Sequence, residues 1–467
     1  MVTRFGRIGG ALIATVVLAA QWPVVTRVGE AADLTSLAAD VTVHEWGTFT
    51  TVAGEDGRAV EWLPLGGSVD LPCFVYSFNR LLKIAVPING PMPDYTTARR
   101  TLKGTVRMET PVLYFYATRP ATVDVSVQFR RGLFSEWYPD AAVSLPWQYM
   151  NLSRPGLTEP EATGSMFWSG VRILPQARSS SESESWSEMF PDDRQPSHYY
   201  AARMTDASPI QVGGEREKFL FYRGVASFES PIDATIAENG TVAITNRSGA
   251  EIPRVMLFTR HGSRAGYRVH AALGANAQVT LDPPAVDQTL DTVMRELEQT
   301  LVAQGLYVKE AKAMIATWRD SWFEDGTRLF YIVPPSTVDA VLPLTVTPKP
   351  KAIARVFVGR AELIDASDIA IVATALTNHD RSVLARYGRL LGPIADRALA
   401  KTAAPAAQAD MRAQLDTMLK DYAARLGACG APPSTTLFAP PSAPFGTSAL
   451  TQSLVAPALA PAPALPR

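Results

Sequence analysis

The stretch VTVHEWGTFTT, residues 41–51, opens a long series of strand-like segments and decides the fold class. β-Branched and aromatic residues dominate it, and the side chains of a strand point alternately to its two faces. The alternation places Glu45 on the face of Val43 and Phe49. Trp46 points to the opposite face. We therefore predict a strand that carries a carboxylate on an otherwise apolar side.

Short runs of Val, Ile, Phe, Tyr and Thr continue after this strand, separated by Gly, Pro, Asn and Asp clusters. Residues 122–131 alternate between apolar and polar side chains, which is typical of a half-buried strand. Asn239 and Gly240 lie between two apolar runs and predict a β-hairpin. The predicted fold class is α+β, with an antiparallel β-sandwich or open barrel over residues 41–364.

Helical periodicity interrupts this pattern twice. Residues 287–323 carry two apolar stripes and predict a helical hairpin inserted between strands. Residues 366–427 predict a C-terminal helical region, and a further helix is expected just after Asp70. The Pro- and Ala-rich residues 428–467 predict a disordered tail.

The N-terminus has the composition of a secretory signal. Arg4 and Arg7 precede a charge-free apolar run over residues 8–20. We predict a signal peptide within residues 1–32, with the cleavage site left open, and a periplasmic or extracellular protein. The alternative is an uncleaved anchor, which is the only predicted route to a membrane, although spanning needs about 20 apolar residues.

Composition excludes several functions. The 467 residues are 47% hydrophobic and 19% charged, with 44 Lys and Arg against 45 Asp and Glu, so no net field recruits nucleic acid. Phosphate-loop and dinucleotide motifs are absent, and the five histidines lack metal-ligand spacing. Neither a cofactor nor a metal is predicted. Cys73 and Cys429 leave two alternatives, one disulfide or two buried thiols.

Three later strands repeat the anomaly of Glu45. Ionic residues are predicted on the same face as apolar ones in each of these strands. They are Glu109 (with Leu113 and Phe115), Arg223 (with Phe221 and Val225), and Arg360 together with Glu362 (with Val356 and Val358). Burying an unpaired charge is costly, so each must be paired, protonated or open to a cleft. If the four faces converge, the charges form either a binding cleft or a structural array of ion pairs.

The segment WRDSWFE, residues 318–324, is a second candidate for a functional site. On a helix Trp318 and Trp322 share one face, and Asp320 and Glu324 share a neighbouring one. Aromatic rings beside paired carboxylates are what a carbohydrate site requires. The alternative is that the tryptophans cover the sheet and the acids face water.

These patterns define a set of candidate residues. The catalytic candidates are Glu45, Glu109, Asp320 and Glu324, and the ligand-binding candidates are Trp46, Arg223, Trp318, Trp322 and Arg360. The preferred hypothesis is an exported protein that binds a glycan or a cell-envelope protein through an exposed aromatic and acidic surface near the three tryptophans. The alternatives are a secreted glycan-active hydrolase with paired carboxylates, and a structural or assembly protein.

The HEWGTFT strand, the turn Gly54-Glu55-Asp56-Gly57 and residues 319–323 and 355–360 resemble segments of an uncharacterised family of exported bacterial proteins. The resemblance covers residues 40 to 400. It implies export. The family has no assigned activity, so it supplies no catalytic residues.

Overall fold

The computed structural model describes residues 40–65, 71–77, 102–144, 163–175, 190–193 and 196–425. Within them the protein is α+β, with one large sheet, one small sheet, a helical hairpin inserted between strands and further helices after the last strand. The large sheet is open rather than closed into a barrel. The α+β class was therefore predicted correctly.

The large sheet holds fifteen of the described strands. They are β1 (Thr42–Val52), β2 (Tyr76–Ser77), β3 (Val106–Tyr116), β4 (Ala121–Arg130), β5 (Gly132–Tyr138), β6 (Ala142–Ser144), β7 (Thr163–Ile173), β8 (Ile210–Val212), β9 (Glu215–Glu217), β10 (Leu220–Ala226), β13 (Val255–His261), β14 (Arg264–His270), β16 (Gly326–Ile332), β17 (Leu344–Thr347) and β18 (Ala352–Leu363).

The main path of this sheet runs β14-β13-β16-β18-β1-β3-β10-β5-β7-β4-β17. Most neighbours are antiparallel, as predicted, but the first strand departs from the prediction. β1 pairs in parallel with β18 over its whole length, from Thr42 opposite Ala352 to Val52 opposite Glu362. A parallel pair needs a long crossover connection, and here the rest of the sheet and the helical hairpin supply it.

The small sheet is formed by β11 (Ile232–Ile236), β12 (Val242–Asn246) and β15 (Gln278–Leu281). The first two strands are the predicted hairpin. Gly240 in its turn has a φ of 81°, a conformation that glycine adopts without steric cost.

The helices begin after β15. They are α1 (Leu290–Ala303), α2 (Val308–Trp322), α3 (Pro335–Val341), α4 (Ala366–Thr377), α5 (Arg381–Ala385), α6 (Leu391–Lys401) and α7 (Pro405–Arg425), with 3-10 helices at His198–Arg203 and Gly388–Leu390. The α1 and α2 pair is the predicted helical hairpin. The remaining helices after β18 lie in the predicted C-terminal helical region.

The centre of the large sheet is buried on both faces. We define face A as the side that carries Val43 and Phe49 of β1, and face B as the side that carries Trp46 and Val52. Face A packs in one apolar cluster with residues of β4, β7 and the small sheet. Face B contacts two clusters, because Trp46 packs with α1 and α2 whereas Val52 packs with the C-terminal helices.

Several predictions concern residues that lie wholly or partly outside the described ranges. The signal peptide and the C-terminal tail lie outside the described residues, as does Cys429. Cys73 is disulfide-bonded. The helix predicted after Asp70 is not found where the structure describes this segment, since Tyr76 and Ser77 form β2.

Among the described residues, no helix is both long and apolar enough to span a bilayer.

Candidate functional site

Face B carries a row of polar side chains across six neighbouring strands, β16, β18, β1, β3, β10 and β5. We call this row the polar band. Its members are Arg328 (β16), Arg360 and Glu362 (β18), Thr48 and Thr50 (β1), Arg107 and Glu109 (β3), Arg223 (β10) and Glu136 (β5). Each residue is at most 6% exposed. The band is therefore sealed from solvent.

Strand register brings these side chains together. Thr50 lies opposite Arg360 of β18 on one side and opposite Arg107 of β3 on the other. Glu362 lies opposite Arg328 of β16. Because neighbouring strands are about 4.8 Å apart, long side chains in one row reach each other across the sheet.

Glu362 links two buried arginines. Its Oε2 accepts a hydrogen bond from Arg328 Nε at 2.9 Å, and its Oε1 accepts one from Arg360 Nε. Arg328 also donates to the carbonyl oxygens of Trp322, Glu324 and Asp325 at 2.7, 2.6 and 2.9 Å. Since the carbonyl of Trp322 is the last of α2, Arg328 ties the end of that helix to the sheet.

Glu109 is also held by two arginines. Arg107 Nε lies 3.0 Å from Glu109 Oε1, and Thr50 Oγ1 donates to Oε2 at 3.3 Å. Arg389, from the second 3-10 helix, forms an ion pair with the same carboxylate. The pair of Glu109 with Arg389 therefore joins the C-terminal helical region to the sheet.

Arg223 lies at the other end of the band. Its guanidinium carbon lies 5.6 Å from the ring centre of Phe221 and 5.6 Å from that of Trp318, which is the geometry of cation–π contacts. Glu136 is its cross-strand neighbour on β5. Trp318 of α2 thus covers the arginine.

Glu324 follows α2 and reaches over the band. Its Oε2 accepts a hydrogen bond from Arg360 Nη2 at 3.1 Å. Burial raises the pKa of Glu324 to about 7, although Arg360 favours the charged form. A β-carbon at Gly388 would collide with the other carboxylate oxygen, and Gly388 has a φ of 49°, so only glycine fits there.

Asp368 of α4 is a second buried acid near the band. Burial, and then the charge of Asp365, raise the pKa of Asp368 to about 7. The hydroxyl of Tyr387 donates to Asp368 Oδ1 at 3.1 Å, which favours the charged form. Both acids thus lie between the sheet and the C-terminal helices.

Glu45 lies apart from this group. It is on face A, as predicted, with Arg355 Nε 2.5 Å from its Oε2 and the Tyr222 hydroxyl donating to its Oε1. The predicted convergence of four strands is therefore correct for Glu109, Arg223 and Arg360 and wrong for Glu45. The reason is that the sheet itself separates the two faces.

The face predicted for Glu109 was wrong because β3 is bulged. Trp46 pairs with Val112 and Thr48 with Glu109, so β3 holds one extra residue beside Pro111. A bulge reverses the side-chain alternation, and proline inside a strand often marks one. Glu109 is therefore on face B, opposite to Leu113 and Phe115.

A second bulge lies on β5 next to Gly224, because Arg223 pairs with Glu136 and Gly224 with Phe134. Arg223 shares face B with Phe221, as predicted, and Val225 lies opposite Arg107 of the same face. A β-carbon at Gly224 would lie 2.3 Å from the Leu133 carbonyl oxygen, so the backbones approach too closely for another residue. β18 is regular, and Arg360 and Glu362 lie on the predicted face.

The predicted exposed surface of tryptophans is not found. Trp46, Trp318 and Trp322 are 0%, 2% and 0% exposed, because face B is covered by α1 and α2 and these rings fill the space between sheet and helices. The alternative prediction, that they cover the sheet, is correct.

Asp320 and Glu324 do not form a pair on one helix face. α2 ends at Trp322, so Glu324 leaves the helix and turns toward the sheet. Asp320 is partly exposed, and His198 Nε2 lies 2.8 Å from its Oδ2. This hydrogen bond lowers the pKa of Asp320.

His198 begins a 3-10 helix that borders a surface the sequence did not reveal. We call it the aromatic surface and define it by the partly exposed Phe74, Tyr76, Phe190 and Tyr200 together with the exposed Met204. These residues come from three separate segments, so no periodicity links them. Only folding brings them together.

Arg203 organises the aromatic surface. Its guanidinium carbon lies 4.8 Å from the Tyr200 ring centre, 5.4 Å from that of Phe190 and 6.0 Å from that of Phe74. Buried Glu217 holds the same guanidinium, with Arg203 Nη2 2.6 Å from Oε2. The rings are thus fixed around a cation that is itself fixed.

Carboxylates hold the tyrosine hydroxyls at the rim of this surface. Tyr200 donates to Asp193 Oδ1 at 2.9 Å, and Tyr76 donates to Glu215. Asp193 also accepts from the backbone N–H of Cys73 at 2.7 Å. Rings, hydroxyls and carboxylates therefore lie side by side where solvent reaches them.

His44, which the sequence left unassigned, belongs to another buried group. Its Nδ1 lies 2.9 Å from Glu310 Oε2, and Tyr116 donates to Glu310 Oε1 at 2.8 Å. Glu310 also accepts from the backbone N–H of Tyr307 at 2.7 Å, which caps α2. Both carboxylate oxygens of Glu310 are engaged by this cap and its neighbours, so the group fixes the start of the helix.

In the segments that the structure describes, three or more His, Cys, Asp or Glu side chains never gather in a way that could hold a metal ion. No protein-family model matches the chain, and no curated protein matches it.

Proposed function

We propose that this protein is exported and binds a glycan of the cell envelope through the aromatic surface. The observation that carries the proposal is the partial exposure of Phe74, Tyr76, Phe190 and Tyr200 beside the carboxylate of Asp193. Sugars present apolar C–H faces and hydroxyl groups. Partly exposed rings offer area for the first, and carboxylates accept hydrogen bonds from the second.

Preorganisation supports the proposal. Association costs less free energy when the binding side chains are already ordered. Arg203 contacts the rings and is anchored by Glu217, and Tyr200 is anchored by Asp193. A ligand would meet rings that lose little freedom on binding. Asp320, a candidate from the sequence, contacts this region through His198.

The hydrolase alternative has less support. Paired catalytic carboxylates flank one bond, about 5 to 10 Å apart across the substrate. Glu45 and Glu109 lie on opposite faces of the sheet, and Asp320 and Glu324 turn apart. Glu109 and Glu324 share face B, but Gly388 and Arg389 contact them directly. The polar band is better explained as a structural array of ion pairs.

The assembly alternative depended on the C-terminal tail and the helices. We propose instead that the helical region is an integral part of the fold, because Arg389 and Glu109 link it to the sheet. We also propose that the sheets form a sandwich. One apolar cluster contains Val43 of β1, Val125 of β4 and Ile244 of the small sheet, which supports face-to-face packing.

A glycan array loaded with envelope polysaccharides tests the proposal. Tyr200→Ala and Phe190→Ala each remove one ring, and we expect at least about tenfold weaker retention from each, as loss of a stacking contact worth roughly 1.5 kcal/mol would give. Phe167→Ala is the matched control, because Phe167 is 42% exposed on β7 and outside the aromatic surface.

Export has its own test. We expect the protein to be recovered from the periplasm or the medium. Its N-terminal signal segment should have been cleaved off at a site within residues 1–32. The binding proposal fails if no envelope glycan is retained, or if Phe167→Ala weakens retention as much as Tyr200→Ala does.

A further inference from the structure

A cleft opens where the turn after β1, the small sheet and the C-terminal helices meet. Its cavity volume is about 160 Å³. The turn contributes Gly54 and Glu55, the first residues of the GEDG segment, which the proposed function leaves without a role. Gly57 fixes this turn on the small sheet, because its carbonyl oxygen accepts a hydrogen bond from the Ala234 N–H at 2.9 Å.

Two cationic side chains of α6 line one wall of the cleft. Arg397 is half-buried and donates to the carbonyl oxygens of Ala53 and Ile364 at 2.6 and 3.3 Å, which holds its guanidinium in place. Lys401 lies one helical turn further on and is exposed. The opposite charge is Glu55 on the turn, so the charged lining has a net positive sign.

The floor of the cleft is apolar. It is formed by Ala234 and Ile236 of the small sheet, Leu363 and Ile364 at the end of β18, and Ile369 of α4. The cleft therefore combines apolar side chains with a lining whose accessible part is mostly polar, which suits a ligand with both an apolar and a polar end. Burial also lowers the pKa of Arg397, which shows that the wall is partly withdrawn from water.

We propose that this cleft binds a small amphipathic anion, with its acidic group against Lys401 and Arg397 and its apolar part on Ile236 and Ile369. A carboxylate or a phosphate group supplies the same charge and acceptor oxygens. The site is separate from the aromatic surface, and it does not depend on the proposed function. Glu55 opposes an anion and so limits its affinity.

Calorimetric titration of the purified protein tests the site with three probes of equal chain length: hexanoate, hexyl phosphate and 1-hexanol. We expect at least one anion to bind about tenfold more tightly than the neutral alcohol, the margin that one desolvated charge contact gives. Binding of only one anion identifies its acidic group. Equal binding of the alcohol and both anions, or binding by none of the probes, overturns the proposal.

Two substitutions sharpen the test and leave the half-buried Arg397 unchanged. Lys401→Gln removes an exposed charge and should weaken anion binding about fivefold, whereas Glu55→Gln should strengthen it by a similar factor. Lys349→Gln, at an exposed lysine after β17, is the control and should leave binding unchanged. Unchanged affinity in Lys401→Gln contradicts the proposal, because the substitution leaves the fold and the apolar floor intact.

Discussion

Faces A and B of the large sheet are both buried, but their charged side chains are paired in different ways. On face A, Glu45 pairs with Arg355, whose other nitrogens reach Asp339 and the Leu342 carbonyl oxygen toward the surface. On face B, Glu362 serves both Arg328 and Arg360 in the interior. The pair on face A has the exposed Asp339 as a further partner, whereas Glu362 and its two arginines are paired in the interior.

The position of the polar band explains the difference. Along β1, apolar Trp46 is followed by Thr48 and Thr50 and then by apolar Val52. Trp46 packs with the helical hairpin and Val52 with the C-terminal helices. The band therefore follows the boundary between two helical layers, and its directional contacts fix how both sit on one sheet. Apolar packing alone is less specific about such positions.

The largest effect should come from breaking the band. Glu362→Gln leaves buried Arg328 without a counter-charge and Arg360 with Glu324 alone, and we expect a loss of about 3 to 5 kcal/mol in the free energy of unfolding. Glu45→Gln on face A should cost less, because Arg355 keeps Asp339. Urea denaturation of both variants measures the difference. An equal loss in the two variants would contradict the contrast between the faces.

The next effect is the pH dependence of stability on face B. The pKa values of Glu324 and Asp368 are about 7, well above those of an unfolded chain, so the folded protein keeps protons that the unfolded chain has released. The free energy of unfolding should therefore fall as pH rises from 5 to 8, by roughly 3 kcal/mol per group.

Asp368→Asn isolates one of these groups. The amide cannot ionise, so the variant should lose less stability than the natural protein between pH 5 and 8. Denaturation midpoints at both pH values measure this. A pH dependence identical to that of the natural protein would show that Asp368 does not hold its proton in the fold.

A smaller effect should follow from the contact between Glu324 and Gly388. Gly388→Ala adds a β-carbon at a φ of 49° and against a carboxylate oxygen, and we expect a loss of about 1 to 3 kcal/mol. Gly392→Ala is the control, since no atom lies near its added carbon inside α6. It should be neutral or stabilise by up to about 1 kcal/mol. Similar melting temperatures for the two variants would disprove the role of Gly388.

The smallest effect should come from the surface pair of Asp320 and His198. Both side chains are partly exposed, and such pairs contribute about 0 to 1 kcal/mol. Asp320→Asn should therefore change the melting temperature little at any pH. A loss comparable to that of Glu362→Gln would mean that Asp320 belongs to the interior network.

Part of the polar band could be predicted from the sequence by the alternation of side chains along a strand. The rule that marks Arg360 also marks Arg328, which is two residues before Phe330 on β16 and therefore on the same face. Alternation failed at Pro111 of β3, where a bulge reverses the faces. Arg389 lies in a 3-10 helix far along the chain, and no local pattern marks it as the partner of Glu109.

By itself the sequence determined the α+β class, the helical hairpin, the hairpin at Gly240 and the strands with charges among apolar residues, because these follow from local periodicity and turn preferences. Only the tertiary structure decided which charges meet. Partners such as Glu45 and Arg355, or Glu109 and Arg389, are separated by hundreds of residues, and their meeting depends on strand order, register and bulges. The aromatic surface and the cleft at Lys401 arise in the same way, from segments that are neighbours only after folding.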